Sequence, residues 1–357
     1  MVSLPVDDEE SRENAGSATV RALARATLVD VARLAGVSGK TVSRVISGQD
    51  NVSPETRVRV LEAAQRLRFR PNHLARDLRR GTLSATVAFV MGDLSNPFYA
   101  ALAAGIEREL AAQGLTMLIA VTNDDPSREA RVVTAMLERR VRSLLLVPIA
   151  SDQSYLEGER QLGTPVVCID RPAQNLAADS VVFANRGGAA AAVRSLLAHG
   201  HRKIAFVGSS PTLYTHGERL AGYRQALTDA GVGGNRDWER IDAADTASAK
   251  RAAVELLDGS DAPTAILAGN NRASIGVLSA LRGVDRSVAF VGFDDFDLAE
   301  TLGITVVAHD PEDMGREAAR LAFARQDDRD HPATQIVLPT RLVQRGSGEV
   351  PPPADAR

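Results

Sequence analysis

The chain has 357 residues, 44% of them hydrophobic and 24% charged. At roughly 100–200 residues per domain that is room for two or three domains. This composition supports a packed core and excludes wholesale disorder; with 4% aromatics the core must rest on Ala, Leu, Val and Ile. A single cysteine, Cys168, excludes an internal disulfide and a multi-thiolate metal site. The net charge of −3 conceals an asymmetry: residues 27–81 hold eleven Lys and Arg against five Asp and Glu, a net of +6, which leaves −9 for the rest. A basic module joined to an acidic body is the electrostatic footprint of a nucleic-acid-binding segment, although a solvated helix face produces the same count.

Residues 1–26 are polar and without period, and read as a mobile tail. Acidic residues Asp7, Asp8, Glu9 and Glu10 stand where a secretory leader would be basic. No stretch approaches the ~20 apolar residues of a membrane helix. A cytoplasmic protein with no membrane partner is expected. From Thr27, which can cap with Asp30, apolar Leu28, Val31, Ala32 and Ala35 fall on one helical face, and Gly36 ends the helix. Ser38 caps a second helix through Ser47 with Val42, Val45 and Ile46 inward, and Ser53-Pro54 opens a third through about Leu67. Pro71 interrupts, and 71–83 reads as a hinge or linker with a short helix. From Ala85 the pattern alternates between apolar strand-like runs (86–90, 115–121, 144–147, 166–169, 204–207, 265–267, 288–291) and amphipathic helices (98–113, 186–198, 218–230, 273–281). That is the signature of an α/β body with parallel sheets; at this length two doubly wound lobes are expected, with a ligand in the crevice at the strand C-termini. Residues 351–357 form a tail.

The run DVARLAGVSGKTVSRVIS has the form of a helix-turn-helix, which by period alone a generic small helical core would also fit. Its second helix offers Thr41, Ser43 and Arg44 to phosphates or base edges, with Lys40 on the first turn. The residues go further. TLVDVARLAGVSGKTVSRVISGQDNVSPETR and RPNHLARDLR closely resemble the headpiece and hinge of the LacI/GalR family of bacterial transcription regulators. The body follows in family order with SNPFYAALAAGIERELAAQG, VVCIDRP, HGHRKIAFVG, ERLAGYRQAL, VGFDDFDLAE and DPEDMGREAA, so that the likeness runs from about Thr27 to Gly348.

The resemblance implies a helix-turn-helix headpiece over 27–70, a hinge over 71–83 and a two-lobed periplasmic-binding-protein-like core over 84–350. Its first lobe takes 84–183 plus 311–337, its second 184–310 plus 338–350, with crossings near 184, 310 and 338. It makes Lys40 and Arg44 base readers. Gly39, at the adjacent reading position, has no side chain to read with. Leu78, beside Ala75, becomes a wedge in the minor groove, as an apolar side chain that unstacks a base step would be on physical grounds. The other reading is that Leu74 and Leu78 pack two hinge helices together. Thr27, Ser38, Asn51, Asn72, His73 and Arg76 complete the DNA-contacting set. Two headpieces on half-sites about one helical turn apart imply a homodimer on a pseudo-palindromic operator.

Matched positions in the body imply effector contacts at Phe98, Tyr99, Arg171, Arg219, Asn270 and Asp294. A carboxylate, a guanidinium and an amide together suit a ligand rich in hydroxyls, so the partner expected is a sugar or related metabolite. The plainer readings are an exposed acidic loop for Asp294, a surface ion pair for Arg219 and core packing for Phe98. His199-Gly200-His201 fits a helix-to-strand turn better than a metal site, and no phosphate-binding loop or catalytic constellation occurs. Hence no metal, cofactor or enzymatic activity is expected. The leading reading is a ligand-controlled repressor; a solute-binding module and an α/β sugar-handling enzyme are the alternatives.

Overall fold

Capping chemistry sets the boundaries of the first three helices. The computed structural model describes residues 26–70, 84–329 and 331–354, which belong to two units that divide between Leu83 and Ser84. In the first unit, α1 (Leu28–Ala35) opens on a reciprocal box: Thr27 Oγ1 accepts the Asp30 amide at 3.3 Å, and Asp30 accepts the Thr27 amide at 2.9 Å. Gly36, with φ +65°, ends it. Helix α2 (Gly39–Ile46) starts at Ser38, whose hydroxyl accepts the Thr41 amide at 3.2 Å; α3 (Pro54–Arg66) starts at Ser53 with proline at its first position. Val31, Val42 and Val60, one from each helix, are wholly buried at their junction. At about 1.5–3 kcal/mol per buried aliphatic side chain, that small core holds the helix pair at a fixed angle.

The second unit carries two six-stranded sheets. The first contains β1 (Thr86–Met91), β2 (Thr116–Val121), β3 (Leu144–Leu146), β4 (Val166–Ile169) and β5 (Asp179–Phe183). Helices α4 (Pro97–Ala112), α5 (Pro126–Leu137) and the short α6 (Glu157–Gln161) lie between them. The second sheet follows in the order α7 (Asn185–Ala198), β6 (Ile204–Val207), α8 (Tyr214–Asp229), β7 (Glu239–Arg240), α9 (Thr246–Asp258), β8 (Ala265–Ala268), α10 (Asn271–Leu281), β9 (Ala289–Phe293) and β10 (Thr305–Ala308). The chain then returns through α11 (Pro311–Asp327) and β11 (Gln335–Leu338) to the first sheet, and crosses once more to β12 (Arg341–Val343) in the second. Strand orders are β11-β5-β4-β3-β1-β2 and β12-β10-β9-β8-β6-β7, parallel throughout except for the antiparallel β10–β12 pair. Both sheets are therefore doubly wound, with switch points between β1 and β3 and between β6 and β8, where the carboxyl ends of strands open a crevice.

The structure differs from the sequence expectation at one helix start and in elements that the sequence runs did not include. Helix α8 begins at Tyr214, four residues before Glu218, so Arg219 lies on its second turn and does not open it. Strand β5 begins with Asp179 and Ser180, a start that does not read as apolar, yet both are buried. Helices α5, α6, α9 and α11 and strands β7, β10, β11 and β12 also stand beyond the runs read from the sequence.

Glycine at a close approach sets the first lobe's packing. A Cβ on Gly105 of α4 would lie 2.0 Å from the Glu312 carbonyl oxygen, and one on Gly315 of α11 would lie 2.2 Å from that of Leu102. The two helix backbones touch at these points. Gly105→Leu is expected to destabilise this unit by about 1–3 kcal/mol, the usual penalty of overpacking. A fall in the thermal midpoint, against an unchanged midpoint for a substitution at exposed Gly158, checks this.

Candidate functional site

Each unit presents one candidate site. In the first, the exposed face of α2 carries Lys40 and Arg44, four residues apart and so on one side of the helix. Among the described residues neither side chain has a hydrogen bond or ion pair, which leaves both guanidinium and ammonium groups free to meet an anion. The hydroxyls of Thr27, Ser38 and Thr41 are engaged locally: Thr27 with Asp30 at 2.6 Å, and Ser38 with Thr41 at 2.9 Å. Thr27 and Ser38 set the helix starts at exposed positions where a phosphate oxygen could be bound, and Thr41 is half-buried beside Ser38. Gly39 has a structural reason beside any role in readout, since a Cβ there would lie 3.1 Å from Leu28 Cδ2 on α1. Ser43 is half-buried and Asn51 exposed. Asn72, His73, Ala75, Arg76 and Leu78 lie outside the described residues, as do the tail and hinge segments 1–25 and 71–83.

The second site is a cleft of about 250 Å³ between the two sheets. Its residues follow the C-terminal ends of strands in both: Asn96 after β1, Asp124 after β2, Ile149 after β3 and Arg171 after β4, facing Ser209 after β6, Asn270 after β8 and Asp294 after β9. All six sequence-nominated effector residues (Phe98, Tyr99, Arg171, Arg219, Asn270 and Asp294) line it. A larger cavity of about 640 Å³ adjoins it and shares Asn96, Phe98, Asn271, Arg272 and Asp294.

Asp294 is the hub. It sits at φ +69° immediately beyond β9 and is buried. One carboxylate oxygen accepts the His309 Nε2 proton at 2.8 Å and lies 3.4 Å from the Arg219 guanidinium; the other accepts the Asn271 amide at 3.1 Å. Burial alone would raise this carboxyl, but Arg219, His309 and the Asn271 N–H outweigh it and hold the group well below the usual carboxylate range. Arg219 is no surface partner: it donates to Asn185 Oδ1 at 2.8 Å and to the Gly269 carbonyl at 2.7 Å, and lies 3.8 Å over the Phe293 ring. Asn270 uses its side-chain oxygen to cap α10 at Ala273, 2.7 Å away, and its amide donates to His216 Nε2 at 3.4 Å. Burial, then Arg219 and Arg171, push the His216 imidazole down to about 3, so it is neutral at pH 7.

On the facing lobe, Arg171 is held by Asp170 at 3.0 Å. Tyr99 is buried, and Phe98 meets both it and His309 edge-on, at 5.2 and 5.8 Å between centroids. The loop after β3 that carries Ile149 is pinned by buried Glu129, which accepts the Ala150 amide and the Tyr155 hydroxyl, each at 3.0 Å. Polar contacts join the lobes across the cleft: Asn271 donates to Asn96 Oδ1 at 2.8 Å, and Arg272 pairs with Asp93 and lies 4.0 Å from Asp124.

Sequence reasoning missed His309, His216, Asp170 and Arg272. Asp170 and His309 carry the mark that identified Asp294, a polar residue directly after a buried parallel strand. His309 is further fixed by stacking on Phe183 at 4.1 Å, where the chain passes from β10 back to the first lobe. Arg272 had no such mark, for its partner is 179 residues away. The His199–His201 turn is structural: His201 nitrogens meet Thr264 Oγ1 at 2.9 Å and the Val350 carbonyl at 2.7 Å. Cys168 is buried, and burial pushes its thiol up to about 12.

Comparison with known proteins agrees with both units. Residues 27–72 match the model of bacterial regulatory proteins of the lacI family, and residues 193–348 that of a periplasmic binding protein-like domain. Catabolite control protein A of Priestia megaterium is 32% identical over 329 residues, covering 90% of this chain and 98% of that protein. The structure of a CelR–cellobiose complex aligns with a TM-score of 0.67 at 32% identity, over 91% of this chain and all of the other. The Cra dual regulator of Pseudomonas putida with fructose 1-phosphate aligns with a TM-score of 0.67 at 26% identity, over 73% of this chain and 99% of the other. With a basic helix-turn-helix and a two-lobed core in one chain, this protein belongs to the lacI family of bacterial regulatory proteins and is a DNA-binding transcriptional regulator.

Proposed function

We propose that the protein acts in the cytoplasm as a homodimeric repressor, whose affinity for a pseudo-palindromic operator is set by a small hydroxyl-rich metabolite in the cleft, and that it catalyses no reaction. The observation that carries this reading is the convergence of Asp294, Arg219, Asn270 and Arg171 from two lobes on one cavity. A hydroxyl both donates and accepts, so it can lie between a carboxylate oxygen and a guanidinium N–H. Such a ligand binds one arrangement of the lobes more tightly than another, and that difference is all the free energy available to change DNA affinity. On DNA, Lys40 and Arg44 read base edges, while Thr27, Ser38, Thr41, Ser43, Asn51, Asn72, His73 and Arg76 hold phosphates and sugars. Gly39 contributes backbone only, and Leu78 beside Ala75 inserts at a base step.

Two measurements test it. A thermal-shift screen of the full chain against sugars, sugar phosphates and purines is expected to find a stabilising ligand whose effect disappears in Asp294→Ala; a ligand that still stabilises that variant would place the site elsewhere. Leu78→Ala is expected to weaken operator binding by about tenfold or more while leaving binding to random duplex unchanged, since unstacking a step exchanges a few kcal/mol for added contact. Equal losses on both DNAs would remove the wedge.

A further inference from the structure

Among the three headpiece helices, α2 alone carries cations with no acid of its own. On α1, Arg33 lies 3.3 Å from Asp30. On α3, Glu55 and Glu62 precede Arg59 and Arg66 by four residues, the spacing at which helix side chains meet. Arg57 of the same helix donates to the Gln49 carbonyl at 2.6 Å. Helix α2, GKTVSRVI, holds no Asp or Glu, and its exposed residues are Lys40 and Arg44, both without a partner among the described residues. At its positive end the N–H groups of Gly39 and Lys40 also have no acceptor among the described residues. This face offers only donors and positive charge.

A complementary segment stands in the same chain. Asp7, Asp8, Glu9 and Glu10 are the longest run of acids in the sequence, and they precede the matched segment 27–72. Thr27 lies 17 residues after Glu10, a tether of at most about 60 Å, whereas the eight residues of α2 span about 12 Å. Along an extended chain successive residues repeat every ~3.3–3.6 Å, close to the ~3.4 Å between successive charges on one DNA strand. The run thus reproduces the charge spacing of a phosphate backbone. A segment tethered at this distance acts at an effective concentration of about a millimolar.

We infer that the acidic run Asp7–Glu10 docks on the Lys40–Arg44 face of α2 when DNA is absent and competes with the duplex for it. This rests on the reading of α2 as the DNA-facing helix. A competitor that occupies the free protein lowers affinity for operator and for random duplex by the same factor. The run therefore sets how much of the protein is held on DNA and leaves sequence preference untouched. As a contact between solvated charges, it weakens as salt rises.

Lys40 is one of three lysines in the chain, with Lys203 and Lys250, so carbodiimide coupling, which joins a carboxylate to an amine in contact with it, reads the docking directly. The full chain without DNA, in about 0.05 M salt, is expected to join its tryptic peptide 1–12 to Lys40 about tenfold more than to either other lysine. That product is expected to disappear in about 0.5 M salt, or when duplex is added. Replacing the four acids together (Asp7→Asn, Asp8→Asn, Glu9→Gln and Glu10→Gln) is expected to raise affinity for operator and random duplex alike, by about threefold or more at about 0.05 M salt and by less at about 0.2 M. Absence of the Lys40 product, coupling spread evenly over the three lysines, or unchanged affinity at low salt would overturn the inference, as would a gain confined to the operator. None of these results touches the regulatory reading, which fails instead if Arg44→Ala leaves DNA binding intact.

Discussion

Arg44→Ala is expected to lower affinity for the preferred operator by about 1–3 kcal/mol per half-site, roughly 30- to 10⁴-fold for a symmetric dimer, and to relax sequence preference where the lost side chain read a base. Arg44 and Lys40 occupy the same exposed side of α2, are unpaired among the described residues, and stand on a helix whose angle is set by Val31, Val42 and Val60. A guanidinium that has no partner among the described residues gives up none of them on binding. Fluorescence anisotropy on operator and random duplexes, at several salt concentrations, distinguishes the roles. Loss confined to the operator marks base reading; a uniform loss with a shallower salt slope marks a phosphate contact. No loss on either would return α2 to a solvated helix face.

Arg219→Ala is expected to destabilise the two-lobed unit by about 3–5 kcal/mol, because it strands a buried carboxylate. For a unit of this size the thermal midpoint falls on the order of 10 °C. Asp294→Ala strands Arg219 instead, and the double variant is expected to cost less than the two single losses together, as residues of one network do. Additive losses would show that the pair does not act as a unit. The pH dependence has a definite sign. Asp294 is held below the ordinary carboxylate range, so its contribution is complete above about pH 4, where the unfolded carboxyl is ionised, and disappears as pH falls through the lower folded value. The midpoint difference between wild type and Asp294→Asn is therefore expected to persist from pH 7 to about 4 and to shrink in stronger acid. A difference that shrank between pH 7 and 5 would instead implicate a group titrating near neutrality.

How much of this could be read from the chain depended on how local each cause is. Thr27 with Asp30, Ser38, Gly36 and Ser53-Pro54 are contacts within a few residues, so the three headpiece helices were legible nearly to the residue. Strands β1, β4, β6 and β9 were legible because parallel strands covered on both faces read as apolar runs. Strand β5 hid because Asp179 is buried against distant partners: Arg325, 146 residues on, donates from Nε at 2.7 Å, and the Thr334 amide donates at 2.8 Å. The site divided in the same way. Asn270 and Asp294 stand at the ends of legible strands. Arg219 matched by position, although its environment of Asn185, Gly269 and Phe293 required the fold. His309 and Arg272 act through partners that only the crossing of the chain between lobes brings near.

The central claim, that a ligand between the lobes decides whether the headpiece holds DNA, is tested most directly by titrating the full-length protein onto its own upstream region and onto random duplex, with and without a metabolite that stabilises it. The account predicts a preference of about 10³-fold or more for one genomic fragment, altered at least fivefold by the metabolite and unaltered by it in Asp294→Ala. Equal binding to both duplexes, or a preference that no cleft-bound ligand changes, would contradict it.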